Sequence, residues 1–141
     1  MTELTGHCLC GHVRFEASGE ITRVTACHCA QCRRQNGGGA FHSLEVKGEV
    51  NLTRADGLVW YKSSDWAERG FCKDCGSSLF WKLQSETAHF DISVGALDNT
   101  DGIALQAHIF TDQCGNYENI PTDIPHMTQA EVLAAFSGSD S

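Results

Sequence analysis

Residues 72–76 read Cys72-Lys73-Asp74-Cys75-Gly76, and residues 8–11 read Cys8-Leu9-Cys10-Gly11. The first is a CxxC knuckle. Two intervening residues let both thiolates turn toward one ion, and the glycine behind them permits a tight turn. The second is a CxC pair. Positions i and i+2 of an extended chain face the same side, so this pair also presents its sulfurs together. Two such pairs make a tetrahedral four-sulfur set, which suits zinc because that ion imposes no geometry of its own. Cys8, Cys10, Cys72 and Cys75 are therefore expected to form a closed, structural zinc site. It would tie the start of the chain to a distant hairpin and add folding energy that a small core lacks.

The chain has eight cysteines, and three more fall in Ala26-Cys27-His28-Cys29-Ala30-Gln31-Cys32-Arg33. That density is too high for ordinary core cysteines. Apart from these seven, only Cys114 remains. Cys27, Cys29 and Cys32 with one vacant position would be a catalytic zinc arrangement, with water or substrate as the fourth ligand. Three thiolates leave such a site negative, so it favours a soft ligand such as a substrate thiol over strong activation of water. Two protein groups compete for the vacancy, His28 and Cys114, and either would close the site. Arg33 and Arg34 follow the last thiolate directly. Guanidinium groups match carboxylates bidentately, so both are candidates for holding an acidic substrate. The plainer reading pairs one of them internally and leaves the other in water. Gly37-Gly38-Gly39 either gives a ligand room to reach the metal or is a surface turn.

Size and charge narrow the rest. A length of 141 residues, 41% of them apolar, suits one domain (1–141) with a modest core. The net charge of -8, from 18 acidic against 10 basic residues, argues against nucleic acid or an anionic membrane as a partner. No apolar run approaches the roughly 18 residues of a membrane helix. The first residues lack the basic start and apolar core of a signal peptide. The expected location is the cytoplasm, where stable disulfides are rare, so clustered cysteines read as metal ligands.

The pattern along the chain is mainly β. Val13, Phe15 and Ala17 alternate with polar residues as in a half-buried strand. A second strand over 21–26 has a weakly specified inner face, and Gly19-Glu20 between the two suits a hairpin turn. Further strands are expected over 40–44, 49–53, 58–61, 78–83, 88–94 and 105–110 from their β-branched and aromatic content. One helix is expected, near the end. Thr128-Gln129-Ala130-Glu131 has capping-box spacing, and Val132, Leu133 and Phe136 follow as an apolar stripe. Pro121 and Pro125 break the approach to it, and the tail 137–141 should fray. Trp60, Trp66, Trp81, Phe71 and Phe80 read as core or cleft walls. His89, His108 and His126 read as structural histidines. Asp56, Asp65 and Asp91 show no spacing that compels paired-carboxylate chemistry.

These motifs together resemble the glutathione-dependent formaldehyde-activating enzyme family, which also takes in centromere protein V. The resemblance runs from Gly6-His7-Cys8-Leu9-Cys10-Gly11-His12-Val13-Arg14-Phe15 through Cys27-His28-Cys29-Ala30-Gln31-Cys32-Arg33. It continues through Phe71-Cys72-Lys73-Asp74-Cys75-Gly76-Ser77-Ser78-Leu79 to His108-Ile109-Phe110 and Ile124-Pro125. It implies a β-tent zinc-binding fold with two ions, a structural one on Cys8, Cys10, Cys72 and Cys75 and a catalytic one on Cys27, Cys29 and Cys32. It also implies the family's activity: glutathione and formaldehyde joined into S-hydroxymethylglutathione, classed with carbon–sulfur lyases in the reverse direction. Members often carry a tryptophan between the histidine and final proline motifs. This chain departs from that pattern, with Tyr117 as the candidate for a similar aromatic position and a different polar edge.

The leading expectation is therefore a zinc-dependent carbon–sulfur lyase acting on a small-molecule thiol–aldehyde adduct. One alternative is a non-catalytic zinc scaffold that binds a protein. Another is a thiol redox sensor that loses zinc from Cys27, Cys29 and Cys32 on oxidation.

Overall fold

The expectation of a β protein rests on alternating strands, and the strand Arg14–Cys27 displays that alternation most plainly. Arg14, Glu16, Ser18 and Glu20 are exposed, while Phe15 and Ala17 between them are buried. The computed structural model describes residues 2–87, 89–118 and 123–137. Ala88, the stretch 119–122 with Pro121, and most of the expected frayed tail lie outside the described residues. The chain is mainly β, with 44% of the described residues in strands, and has a short C-terminal helix. It packs as two compact units, residues 1–23 with 43–103 and residues 24–42 with 104–141.

The strands in order are β1 (Thr2–His7), β2 (Arg14–Cys27), β3 (Phe41–Lys47), β4 (Val50–Arg54), β5 (Leu58–Lys62), β6 (Ala67–Cys72), β7 (Ser78–Leu83), β8 (Asp91–Ser93), β9 (Ala107–Ile109) and β10 (His126–Met127). In the first unit β1 and β4 both pair antiparallel with β2, matching Leu4 to Ala17 and Phe15 to Leu52. A second antiparallel series runs β5–β6–β7–β8–β3. Its side chains build an aromatic core. Phe80 meets Phe15 edge-on at 5.3 Å and Phe90 at 5.4 Å, and Trp60 lies 5.0 Å from Phe90. Leu44, Leu79 and Ile92 are fully buried around them. Fully burying an aliphatic or aromatic side chain of this kind stabilises the fold by about 1.5–3 kcal/mol.

The second unit is smaller. The end of β2 pairs parallel with β9, setting Ala26 opposite His108, and β9 pairs parallel with β10, setting His108 opposite His126. Two helices accompany these strands, α1 (Ala30–Gln35) and α2 (Gln129–Ser137). At the start of α2 Glu131 donates its amide to the Thr128 hydroxyl at 3.2 Å, and the Glu131 carboxylate faces the Thr128 amide at 3.5 Å. That is the reciprocal cap expected from the spacing.

Three local expectations need correction. No hairpin forms at Gly19-Glu20; β2 runs on as one 14-residue strand. Gly19 has φ +133°, and a Cβ there would lie 2.4 Å from the Lys47 carbonyl oxygen. The glycine thus serves a close backbone crossing rather than a reversal. Strands β1 and β6 occupy segments that carried no clear strand signal. Helix α1 was also unexpected, its pattern obscured by the density of cysteines.

Candidate metal centres

Each half of the four-cysteine set is shaped by its own turn. Gly11 donates its amide to the Cys8 carbonyl at 3.1 Å, and Gly76 donates to the Cys72 carbonyl at 2.8 Å. Both glycines have positive φ, +82° and +78°, so each turn depends on the missing Cβ. The four sulfurs all lie within 4.8 Å of one another. Cys10 Sγ is 3.7 Å from both Cys8 Sγ and Cys72 Sγ. Zinc–sulfur bonds of about 2.3 Å in a tetrahedron put neighbouring sulfurs about 3.8 Å apart, so the donor set fits zinc. Its electrostatics also call for a cation. The His12 amide favours the Cys10 thiolate, but burial and the thiols of Cys72, Cys75 and Cys8 push Cys10 up to about 12. Two members are lowered instead: burial opposes ionisation of Cys8, but the Val13 amide and the Cys10 and Cys72 thiols outweigh it, and Cys75 is held down to about 5, chiefly by the Ser77 hydroxyl.

Two residues outside the cysteine motif support this set. The Ser77 hydroxyl lies 3.2 Å from Cys75 Sγ and also accepts the Leu9 amide at 3.0 Å, bridging the two thiolate pairs. Gly57 donates to the His12 carbonyl at 3.2 Å and accepts from the Lys73 amide at 2.8 Å. A hydroxyl two positions past the knuckle was the available signal for Ser77. Gly57 had none.

Cys27, Cys29 and Cys32 form a second set, their sulfurs again within 4.8 Å of one another. Cys27 ends β2. Cys29 caps α1, its sulfur accepting the Cys32 amide at 3.3 Å. Cys32 is buried inside the helix, and Asn36 holds its carbonyl through both backbone and side-chain amides, at 2.9 and 2.8 Å. Hydrogen bonding with Cys29 and Cys32, then burial, raises the Cys27 thiol far above its ordinary value. Three sulfurs cannot share this space as anions without a positive partner, so the donor set suits a thiophilic ion. Arg33 and Arg34 lie in the last turn of α1, half-buried and exposed respectively.

Neither His28 nor Cys114 completes the second set. They form a third with Glu118, one donor atom of each lying within 4.8 Å of the others. His28 Nδ1 is 3.0 Å from Glu118 Oε1, and His28 Nε2 is 2.8 Å from His108 Nδ1. Gly115 donates its amide to Glu118 Oε2 at 3.1 Å. Burial opposes ionisation of Glu118, but the hydrogen bonds from His28 and Gly115 outweigh it and keep the carboxyl below its usual range. Burial, then Glu118, pushes Cys114 up to about 11. Burial and the neighbouring His28 and His126 lower His108. No sequence signal marked Glu118, which lies 90 positions from His28. Tyr117, beside it, donates its hydroxyl to the Gly38 carbonyl and so meets the triple-glycine stretch.

Comparisons with known proteins bear on the family and the fold. An uncharacterized lyase of Schizosaccharomyces pombe is 26% identical over 122 residues, which span 84% of this chain and 88% of the yeast protein. A crystal structure of a Rhodobacter sphaeroides protein shares the fold with a TM-score of 0.50 at 20% identity, covering 86% of this chain and 98% of that one. Residues 3–113 match the family profile described as glutathione-dependent formaldehyde-activating enzyme. With that match covering most of its length, the chain belongs to the glutathione-dependent formaldehyde-activating enzyme family.

Proposed function

We propose that this protein is a cytoplasmic, zinc-dependent carbon–sulfur lyase that makes and breaks a thiol–aldehyde adduct, with S-hydroxymethylglutathione as its substrate. One observation carries the reading: Cys27, Cys29 and Cys32 form a three-thiolate set that neither His28 nor Cys114 joins. The set on Cys8, Cys10, Cys72 and Cys75 has four donors and suits a structural ion. Cys27, Cys29 and Cys32 would hold a zinc ion, which would supply an open position of soft character for a substrate sulfur. In the lyase direction the adduct's hydroxyl loses its proton as the carbonyl bond of formaldehyde forms. The carbon–sulfur electron pair stays with sulfur, which leaves as the glutathione thiolate and takes up a proton.

The chain's own residues supply orientation. Arg33 and Arg34 follow Cys32 on α1, and either guanidinium would suit a carboxylate of the substrate. Glutathione carries two carboxylates, which suits such a pair. Holding both ends of the adduct in one geometry is where such a site gains most of its rate.

The test is an NMR assay of adduct formation from glutathione and carbon-13 formaldehyde, comparing wild type with Cys32→Ser. Wild type should exceed the spontaneous rate, and Cys32→Ser should fall to it while remaining folded. A fully active Cys32→Ser protein would remove the set from the reaction.

A further inference from the structure

We infer that His28, Cys114 and Glu118 form a metal site of their own, distinct from both cysteine sets and suited to a zinc-type ion. The donors differ in kind: an imidazole nitrogen, one thiol and a carboxylate. Zinc accepts all three types, and three protein ligands leave one position open. Their donor atoms gather within 4.8 Å although they come from separate segments. His28 is fixed by its amide, which donates to the Ile109 carbonyl at 2.9 Å. Cys114 and Glu118 flank a turn in which Glu118 donates its amide to the Gly115 carbonyl at 3.0 Å.

The surroundings of this cluster are those of a ligating histidine. His28 is 5% exposed, and its Nε2 faces the Nδ1 of His108, itself 6% exposed. A histidine bound to metal through one nitrogen characteristically donates its other N–H to a fixed acceptor, which sets the ring's tautomer and orientation. With Nδ1 toward Glu118 and Cys114, His28 Nε2–H has that acceptor in His108. The other His108 nitrogen, Nε2, is buried and has no hydrogen-bond partner among the described residues, a cost normally tolerated only where the ring serves a purpose. His108 is therefore a positioning residue for the site. The His28–Glu118 hydrogen bond at 3.0 Å joins two of the three groups, and an ion would engage the Cys114 thiol beside them as well.

The experiment is a titration of the full-length protein with cobalt(II), read by thiolate-to-cobalt charge-transfer absorption, with zinc counted in parallel by native mass spectrometry. Wild type should take three equivalents, one of them giving absorption that corresponds to a single thiolate bond. Cys114→Ser should lose that equivalent and keep the other two. His108→Phe should weaken it by about 10- to 100-fold without altering the rest. Glu118→Gln retains the thiol and serves as a second ligand variant should Cys114→Ser fold poorly; it should weaken the same equivalent. Saturation of wild type at two equivalents would overturn the inference, as would a third equivalent unchanged in Cys114→Ser or Glu118→Gln. Loss of the Cys32-dependent equivalent alone, in a Cys32→Ser protein, reports on the lyase site and leaves this one standing.

Discussion

Gly57→Ala tests whether the packing behind the four-thiolate set is as tight as its geometry indicates. A Cβ built on Gly57 would lie 2.8 Å from Cys72 Sγ, 3.0 Å from His12 Cβ and 3.4 Å from Val13 Cγ2. Ordinary contact starts near 3.4 Å, so Cys72 Sγ would have to yield about 0.6 Å. It has little freedom to do so, because Cys72 is fully buried and its amide is donated to the Ser77 carbonyl at 3.0 Å. Gly57 cannot retreat either, being hydrogen-bonded through both its amide and its carbonyl. Overpacking of this kind costs about 1–3 kcal/mol, and the lower backbone entropy of alanine in the unfolded chain returns about 0.4–1 kcal/mol. A net loss of about 1–2 kcal/mol corresponds to roughly 5- to 30-fold weaker zinc retention at this set. The assay is competition with a chromogenic chelator, alongside thermal unfolding of the zinc-loaded protein. Gly39→Ala is the control, since a Cβ there meets nothing within 4 Å. Zinc retention and melting temperature equal to wild type in Gly57→Ala would refute the reasoning.

Cys72→Ser should lower folding yield and resistance to proteolysis far more than Cys32→Ser, because it breaks the set that bridges distant segments; equal yields would count against a structural role. Burial, opposed by Arg23 and assisted by Glu45, lifts the Asp91 carboxyl to about 6, so the folded state holds that proton more tightly than the unfolded chain does. Stability should therefore fall by on the order of 2 kcal/mol as pH rises from about 4 to above 6, and Asp91→Asn should lack this slope. Urea unfolding of both proteins at the two ends of that range measures it, and parallel profiles would exclude the effect. Thr128→Ala removes the hydroxyl that accepts the Glu131 amide. It should cost about 1 kcal/mol, seen as faster amide exchange over the first turn of α2.

Much of the site was legible because thiol ligands act in short, dense motifs. The spacing of Cys72 with Cys75 and of Cys8 with Cys10 encodes turns whose glycines adopt positive φ. The Thr128–Glu131 cap is likewise a purely local signal. Failures came where a residue's meaning depends on what lies opposite it. Gly19 looks like a turn until the Lys47 carbonyl is placed against it. Ala-Glu-Arg-Gly at the start of β6 lacks β-branched residues, yet β6 is an inner strand between β5 and β7, with Arg69 buried. Sequence position makes His28 and Cys114 each a candidate fourth ligand for the three-thiolate set. Their actual company, Glu118, depends on the chain folding back across the second unit, which no spacing records.

The two cysteine sets also differ in when they come into existence. Cys27, Cys29 and Cys32 are all present as soon as residue 32 has been made, whereas the four-thiolate set is incomplete until residue 75. At about 5–20 residues per second the ribosome separates these moments by roughly 2–9 seconds. During that interval the nascent chain offers a scavenging ion one local clamp and only half of the other. The final distribution of metal follows affinity, but the first capture follows the order of synthesis. That order decides the first capture only where free metal is plentiful enough to bind within those seconds; where it is scarce, both sets are complete before an ion arrives.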